Sequence, residues 1–163
     1  MRRKFGKIIF ELAKKDKKIV LVVGDIGYGI FDDFRKKFPK RFFNLGICEQ
    51  SIIGMASGMA LEGLKPWVYT ITPFLIERPF EQIKLDINQQ KANVKLVGFA
   101  DYPNLGPTHS ELNAKKMMKL FKNIKSYYPK NSEETEKITQ LCYKINGPTF
   151  ISLKSDKKLG KKW

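Results

Sequence analysis

"NLGICEQSIIGMASGMALEGLKPWVYTI" fills residues 44–71. It leaves a short strand-like segment, passes Glu49, and runs through small and apolar residues to Gly63. It then resumes as the β-rich segment "KPWVYTI" (65–71). The spacing predicts a helix over about 49–62, with no charge between Glu49 and Glu62. Such a helix is buried or pressed against another helix, and Gly54 and Gly58 would let a second backbone come close. Strand, helix and strand in this order are the repeating unit of a parallel sheet.

The same alternation extends in both directions. Phe5, Ile8, Ile9 and Leu12 predict a helix over 3–15. "KIVLVVGD" (18–25) is a β-branched run of the kind buried on both faces of a sheet. A short helix over 30–38 and the strand "RFFNLG" (41–46) lead into the opening stretch. Beyond it, Phe74, Phe80, Ile83 and Ile87 predict a helix over 74–90, followed by the strand "ANVKLVGFA" (92–100). A helix over 110–121, a short strand near 123–127, a helix over 132–145 and the strand "PTFISL" (148–153) complete the pattern. The expected fold class is therefore α/β: a central, mostly parallel six-stranded sheet with helices on both faces.

Composition bounds the function. The 163 residues suit one domain, and 42% hydrophobic content supports a core. No apolar run approaches the roughly 20 residues that span a bilayer. "MRRKFGKIIFELAKKDKK" (1–18) reads as an amphipathic helix, not a signal peptide. Cys48 and Cys142 fit no metal or redox spacing, which suggests a cytoplasmic protein with reduced thiols. The net charge is +15, yet only Arg2, Arg3, Arg35, Arg41 and Arg78 are arginines. The lysines are scattered in pairs (Lys14-Lys15, Lys17-Lys18, Lys36-Lys37, Lys115-Lys116, Lys157-Lys158). That dispersal favours a solvated surface over a nucleic-acid face.

In parallel α/β sheets, ligands bind outside the carboxyl ends of the strands. That rule selects the loops at 24–30, 45–50, 71–78 and 100–109. Glu49 opens a helix, where an acid gains about 0.3–1 kcal/mol from the helix dipole. Its apolar neighbours Ile47, Cys48, Ile52, Ile53, Met55 and Met59 would also partly desolvate it, so it could share a proton with a ligand. Phe74 could be core or a stacking platform for a flat ring. Arg78 could grip a phosphate or carboxylate, or pair with Glu77 or Glu81. His109, the single histidine, closes "GPTH" in a loop fixed by Gly and Pro. "GDIGYG" (24–29), with Asp25, matches neither G-x-x-x-x-G-K-[ST] nor G-x-G-x-x-G. No metal constellation is visible.

Together these residues resemble the pyrimidine-binding domain of transketolase-type thiamine diphosphate enzymes. The marks are the N-x-G-I-x-E-Q turn (44–50), the Gly-rich helix after it, F-L-x-x-R-x-F-x-Q-I (74–83), N-V-K-L-V-G (93–98) and G-P-T-H (106–109). The resemblance covers nearly the whole chain, as one domain over 1–163. It implies that Glu49 hydrogen-bonds a ring nitrogen of the aminopyrimidine and favours the imino tautomer, which removes the thiazolium proton. It further implies that Phe74 stacks on the pyrimidine and that His109 lies near substrate hydroxyls and the reaction centre. Arg78, Ile47 and Asp25 complete the implied cofactor-binding set.

The family's diphosphate-binding (PP) domain, with its G-D-G…N motif for magnesium, has no counterpart here, nor does its C-terminal domain. The expected arrangement is then a split enzyme. A separate PP-domain chain would hold Mg2+ and the diphosphate in an α2β2 assembly, with a contact between copies of this chain through the Gly54/Gly58 helix. The expected reaction is transfer of a two-carbon ketol unit between phosphorylated or nucleotide-linked sugars. "PTHSELN" (107–113) departs from the commoner PTHQ and PTHH, which leaves substrate choice open. The alternatives are a 2-oxo acid decarboxylase or dehydrogenase component, a deoxyxylulose-phosphate-synthase-like enzyme, and a non-catalytic basic module.

Overall fold

The computed structural model describes residues 1–103, 105–110 and 112–155. Asn104, Glu111 and the Lys157-Lys158 pair lie outside them. Six strands form one sheet: β1 (Ile19–Val23), β2 (Phe42–Asn44), β3 (Lys65–Ile71), β4 (Lys95–Phe99), β5 (Lys125–Tyr127) and β6 (Thr149–Leu153). They pair in the order β2-β1-β3-β4-β6-β5, and every pairing is parallel. β1, β4 and β6 are buried along their whole length, as continuous β-branched and aromatic runs require in a sheet covered on both sides.

The helices are α1 (Arg2–Lys15), α2 (Asp32–Lys37), α3 (Glu49–Leu61), α4 (Thr72–Ile76), α5 (Phe80–Gln82), α6 (Ala114–Met118) and α7 (Ser132–Lys144). One core contains Phe5 and Ile9 of α1, Phe34 of α2 and Cys142 of α7. The other contains Ile52, Ile53 and Ala56 of α3, Ile83 and Ile87, and Met118 of α6. Among the described residues no helix is long and apolar enough to cross a membrane.

Two expected helices differ. The segment 74–90 is not one helix. Pro79 has no N–H to continue the ladder, so α4 stops at Ile76, and α5 runs into a π-helical segment, Ile83–Gln89. An elbow at Glu77, Arg78 and Pro79 results. The helix expected over 110–121 shrinks to α6, because the Asn113 side chain accepts the Lys116 amide and sets a later start.

After β1 the chain adds β2 on one side, then crosses back to add β3 and β4 on the other. This reversal places a crevice at the carboxyl ends of β1 and β3, where ligands bind in such sheets.

Candidate active site

α3 begins at Glu49, just past β2. Cys48, before it, provides no side-chain cap; its Sγ instead donates to the Leu45 carbonyl at 2.9 Å. Glu49 is only 2% exposed. Its Oε2 accepts a hydrogen bond from Arg78 Nη1 at 3.1 Å. Its Oε1 is buried without a partner among the described residues. A buried acceptor left without a donor costs about 1–3 kcal/mol, and more when charged. The position therefore has room for one more donor.

Arg78 does not pair with Glu77 or Glu81. The elbow at Pro79 turns it toward Glu49, and its guanidinium carbon lies 3.2 Å from the centre of the Phe74 ring. Phe74, in α4, also meets His109, with ring centres 5.0 Å apart. His109 ends a 3-10 turn, Pro107–His109, entered through Gly106 at φ 117°, a conformation that favours glycine. The Thr108 hydroxyl oxygen lies 3.1 Å from His109 Nδ1, and Nε2 has no hydrogen-bond partner among the described residues. On its other side the imidazole stacks on Tyr102 at 5.8 Å and 22°.

Four of the six residues expected at the site are thus contiguous: Glu49, Arg78, Phe74 and His109. Asp25 and Ile47 stand apart from that chain of contacts, on the same edge of the sheet. Asp25 is left-handed, with φ 51°, and its Oδ1 accepts from Tyr28 Oη at 2.7 Å and Asn44 Nδ2 at 3.2 Å. Those bonds, Tyr28 first, hold its carboxyl below the ordinary aspartate value. A cavity of about 180 Å3 beside it is lined in part by Tyr28, Asp32, Arg35 and Asn44. Ile47 is 63% exposed at the rim. Sequence reasoning missed Tyr102, Thr108 and Glu77, whose Oε1 accepts the Leu112 amide at 2.8 Å. They lie in a loop, a single short turn and a helix end, where no periodicity marks a residue.

The family model for "Transketolase, pyrimidine binding domain" matches residues 1–158. The chain is 32% identical over 154 residues to one of the subunits of apulose-4-phosphate transketolase from Phocaeicola vulgatus, covering 92% of this chain and 49% of that protein. It is 35% identical over 152 residues to 1-deoxy-D-xylulose-5-phosphate synthase of Clostridium perfringens, covering 90% of this chain and 24% of that protein. A solved structure described as "Split gene transketolase, inactive beta4 tetramer" superposes with a TM-score of 0.85 at 32% identity, over 95% of this chain and 51% of that one. The chain spans less than half the length of either curated relative.

Proposed function

This chain belongs to the transketolase pyrimidine-binding domain family, and from that premise we propose that it is one half of a two-chain transketolase. The family uses thiamine diphosphate, which when bound supplies the means to stabilise a carbanion. The observation that carries the proposal is Glu49. Its carboxylate has a buried, unpartnered oxygen, and Arg78, which bonds the other oxygen, lies over the Phe74 ring; this set fits an aminopyrimidine.

In this reading Glu49 holds a proton at a pyrimidine ring nitrogen. Phe74 stacks on the ring. Arg78 now covers that face of Phe74, so its guanidinium swings aside on binding and lines the edge of the ring. Asp25 and Ile47 flank the cofactor at the neighbouring strand ends. His109, through Nε2, meets the hydroxyls of the sugar substrate and the reacting carbon. Among the described residues no group of three or more His, Cys, Asp or Glu could hold a metal ion. Mg2+ and the diphosphate are assigned to a separate PP-domain chain in an α2β2 assembly.

The outer face of α3 supports a contact with a second copy. Met55 and Leu61 are exposed there, and a Cβ added at Gly54 or Gly58 would meet nothing within 4 Å. The reaction is transfer of a two-carbon ketol unit between sugar phosphates or nucleotide-linked sugars, carried out in the cytoplasm.

The test mixes this chain with a PP-domain chain and measures two-carbon transfer between sugar phosphates. Glu49→Gln keeps the shape and loses the acid, so turnover falls about 10²–10⁴-fold. Turnover near wild type in that variant would falsify the assignment. A second reading, a deoxyxylulose-phosphate-synthase-like enzyme, is favoured by the Clostridium perfringens relative. Profiling pyruvate against ketose phosphates as two-carbon donors separates the two.

A further inference from the structure

We propose that Glu77 is a positioning residue that holds His109 in place, an inference that rests on the transketolase reading above. The elbow at Pro79 presents two adjacent side chains in different directions. Arg78 reaches back to Glu49 at 3.1 Å. Glu77 does not pair with its neighbour; its Oε1 reaches forward and accepts the backbone N–H of Leu112 at 2.8 Å, across 35 residues of sequence.

That bond ties the segment after β4 to the elbow, as the Asp101 carboxylate, accepting the Ser155 amide at 2.8 Å, ties its start to the end of β6. Between β4 and α6 the only regular element among the described residues is the 3-10 turn Pro107–His109. The backbone hydrogen bonds from the His109 amide to the Gly106 carbonyl and from the Ser110 amide to the Pro107 carbonyl are internal to the turn. The Leu112 side chain is 65% exposed and so does not anchor the segment by burial.

Attachments to the body lie on either side of His109. Tyr102 lies ahead of it, with its ring against the imidazole and edge-on to Phe99. The Glu77–Leu112 bond lies behind it, fixed to the end of the helix that carries Phe74. Between these points the imidazole stays over Phe74 at 5.0 Å. One elbow thus holds both parts of the site: Arg78 engages the carboxylate of Glu49, and Glu77 engages the loop of His109.

The contribution required of Glu77 is an acceptor oxygen, not a charge. Glu77→Gln keeps an Oε1 acceptor, whereas Glu77→Ala removes it. In the isolated chain, amide hydrogen exchange at Leu112 and His109 should quicken about tenfold in Glu77→Ala, as local opening becomes easier, and return toward wild type in Glu77→Gln. In the two-chain enzyme, Glu77→Ala should lower kcat by up to about 100-fold, the cost of misplacing a catalytic group by about 1 Å. It should leave thiamine diphosphate affinity unchanged. Glu77→Gln should restore kcat.

Wild-type exchange and turnover in Glu77→Ala overturn the proposal. So does equal impairment of the Ala and Gln variants, which would point to the charge beside Arg78. Loss of folding in both variants, read from their melting, overturns it as well by making Glu77 structural. The exchange arm needs no activity. If the two-chain enzyme fails to turn over sugars while exchange responds as stated, the transketolase reading falls and the loop tether stands.

Discussion

The two edges of the sheet handle charged groups in opposite ways. At the amino edge, where strands begin, charges are used up in tying the fold together. Asp16 Oδ2 accepts from Lys65 Nζ at 2.7 Å and from Tyr143 Oη at 3.1 Å. The Arg41 guanidinium donates to the carbonyls of Ala13, Asp16 and Ile19. Lys95, 1% exposed, donates to the carbonyls of Ile145 at 2.7 Å and Gly147 at 2.6 Å, just past the end of α7. At the carboxyl edge, Glu49 keeps a buried oxygen without a partner and Asp25 holds a left-handed backbone. The contrast is one of charge: the buried carboxylate oxygen without a partner lies where a ligand is expected, whereas at the amino edge a buried unpartnered atom, Thr149 Oγ1, is neutral, and a left-handed residue occurs at each edge, Asp25 and Lys91.

The strongest test of this contrast is Glu49→Gln, measured for stability as well as turnover. At a structural carboxylate the substitution would lower the melting temperature. Here it neutralises a buried oxygen that has no donor, so the melting temperature of the isolated chain should hold or rise while turnover falls about 10²–10⁴-fold. A melting temperature that drops by about 2–4 °C, equivalent to roughly 1 kcal/mol, breaks the comparison.

Lys95 provides the counterpart at the amino edge. Burial lowers its pKa from 10.5 to about 8 in the folded chain. The folded state therefore binds fewer protons than the unfolded state between those values. The penalty is full below pH 8 and is relieved as pH rises toward 10.5. The two carbonyl hydrogen bonds favour the ammonium and pull the other way, so the gain across that window is at most about 3 kcal/mol. Denaturant titrations of wild type and Lys95→Met from pH 7 to 10.5 should diverge in this direction, with cofactor affinity alike at pH 7. A flat difference would remove Lys95 from the account.

Asp16→Asn should have a smaller effect. Burial raises the Asp16 pKa, but the Lys65 bond, the Lys18 amide and Tyr143 together outweigh it and hold the carboxyl below 3.8. Its stabilisation is thus present above the unfolded value and lost as pH falls through the lower, folded one. The variant should cost about 1–3 kcal/mol at pH 7, read by denaturant unfolding, with kcat of the two-chain enzyme unchanged. A change in kcat without a change in stability would reverse the roles of the two edges.

The sequence carried the sheet well and the site in part. β1, α3 and β3 were legible because their periodicities are long and uninterrupted. The elbow after α4 was not, because the apolar spacing of Phe74, Phe80, Ile83 and Ile87 continues across Pro79 while the backbone cannot. That one break decides where Arg78 and Glu77 point. The pairing of Arg78 with Glu49, 29 residues away, has no local signal, whereas Glu77 and Glu81 are the neighbours a sequence suggests. Tyr102 and Thr108 lie in a loop and a single short turn, whose geometry composition does not encode.

Each edge also carries one cysteine, which gives the finest comparison. Cys142 is fully buried on α7, and burial pushes its thiol up to about 11. Cys48 is half-buried beside Glu49, donating only to the Leu45 carbonyl. Alkylation needs thiolate and access together. The native chain at pH 8 should therefore take up one equivalent of iodoacetamide, at Cys48, and the second only at denaturant concentrations that unfold it. Peptide mapping identifies the modified residue. Rapid labelling of Cys142 in the native chain would show that the amino edge opens as readily as the edge that faces the ligand, and the division between them would fail.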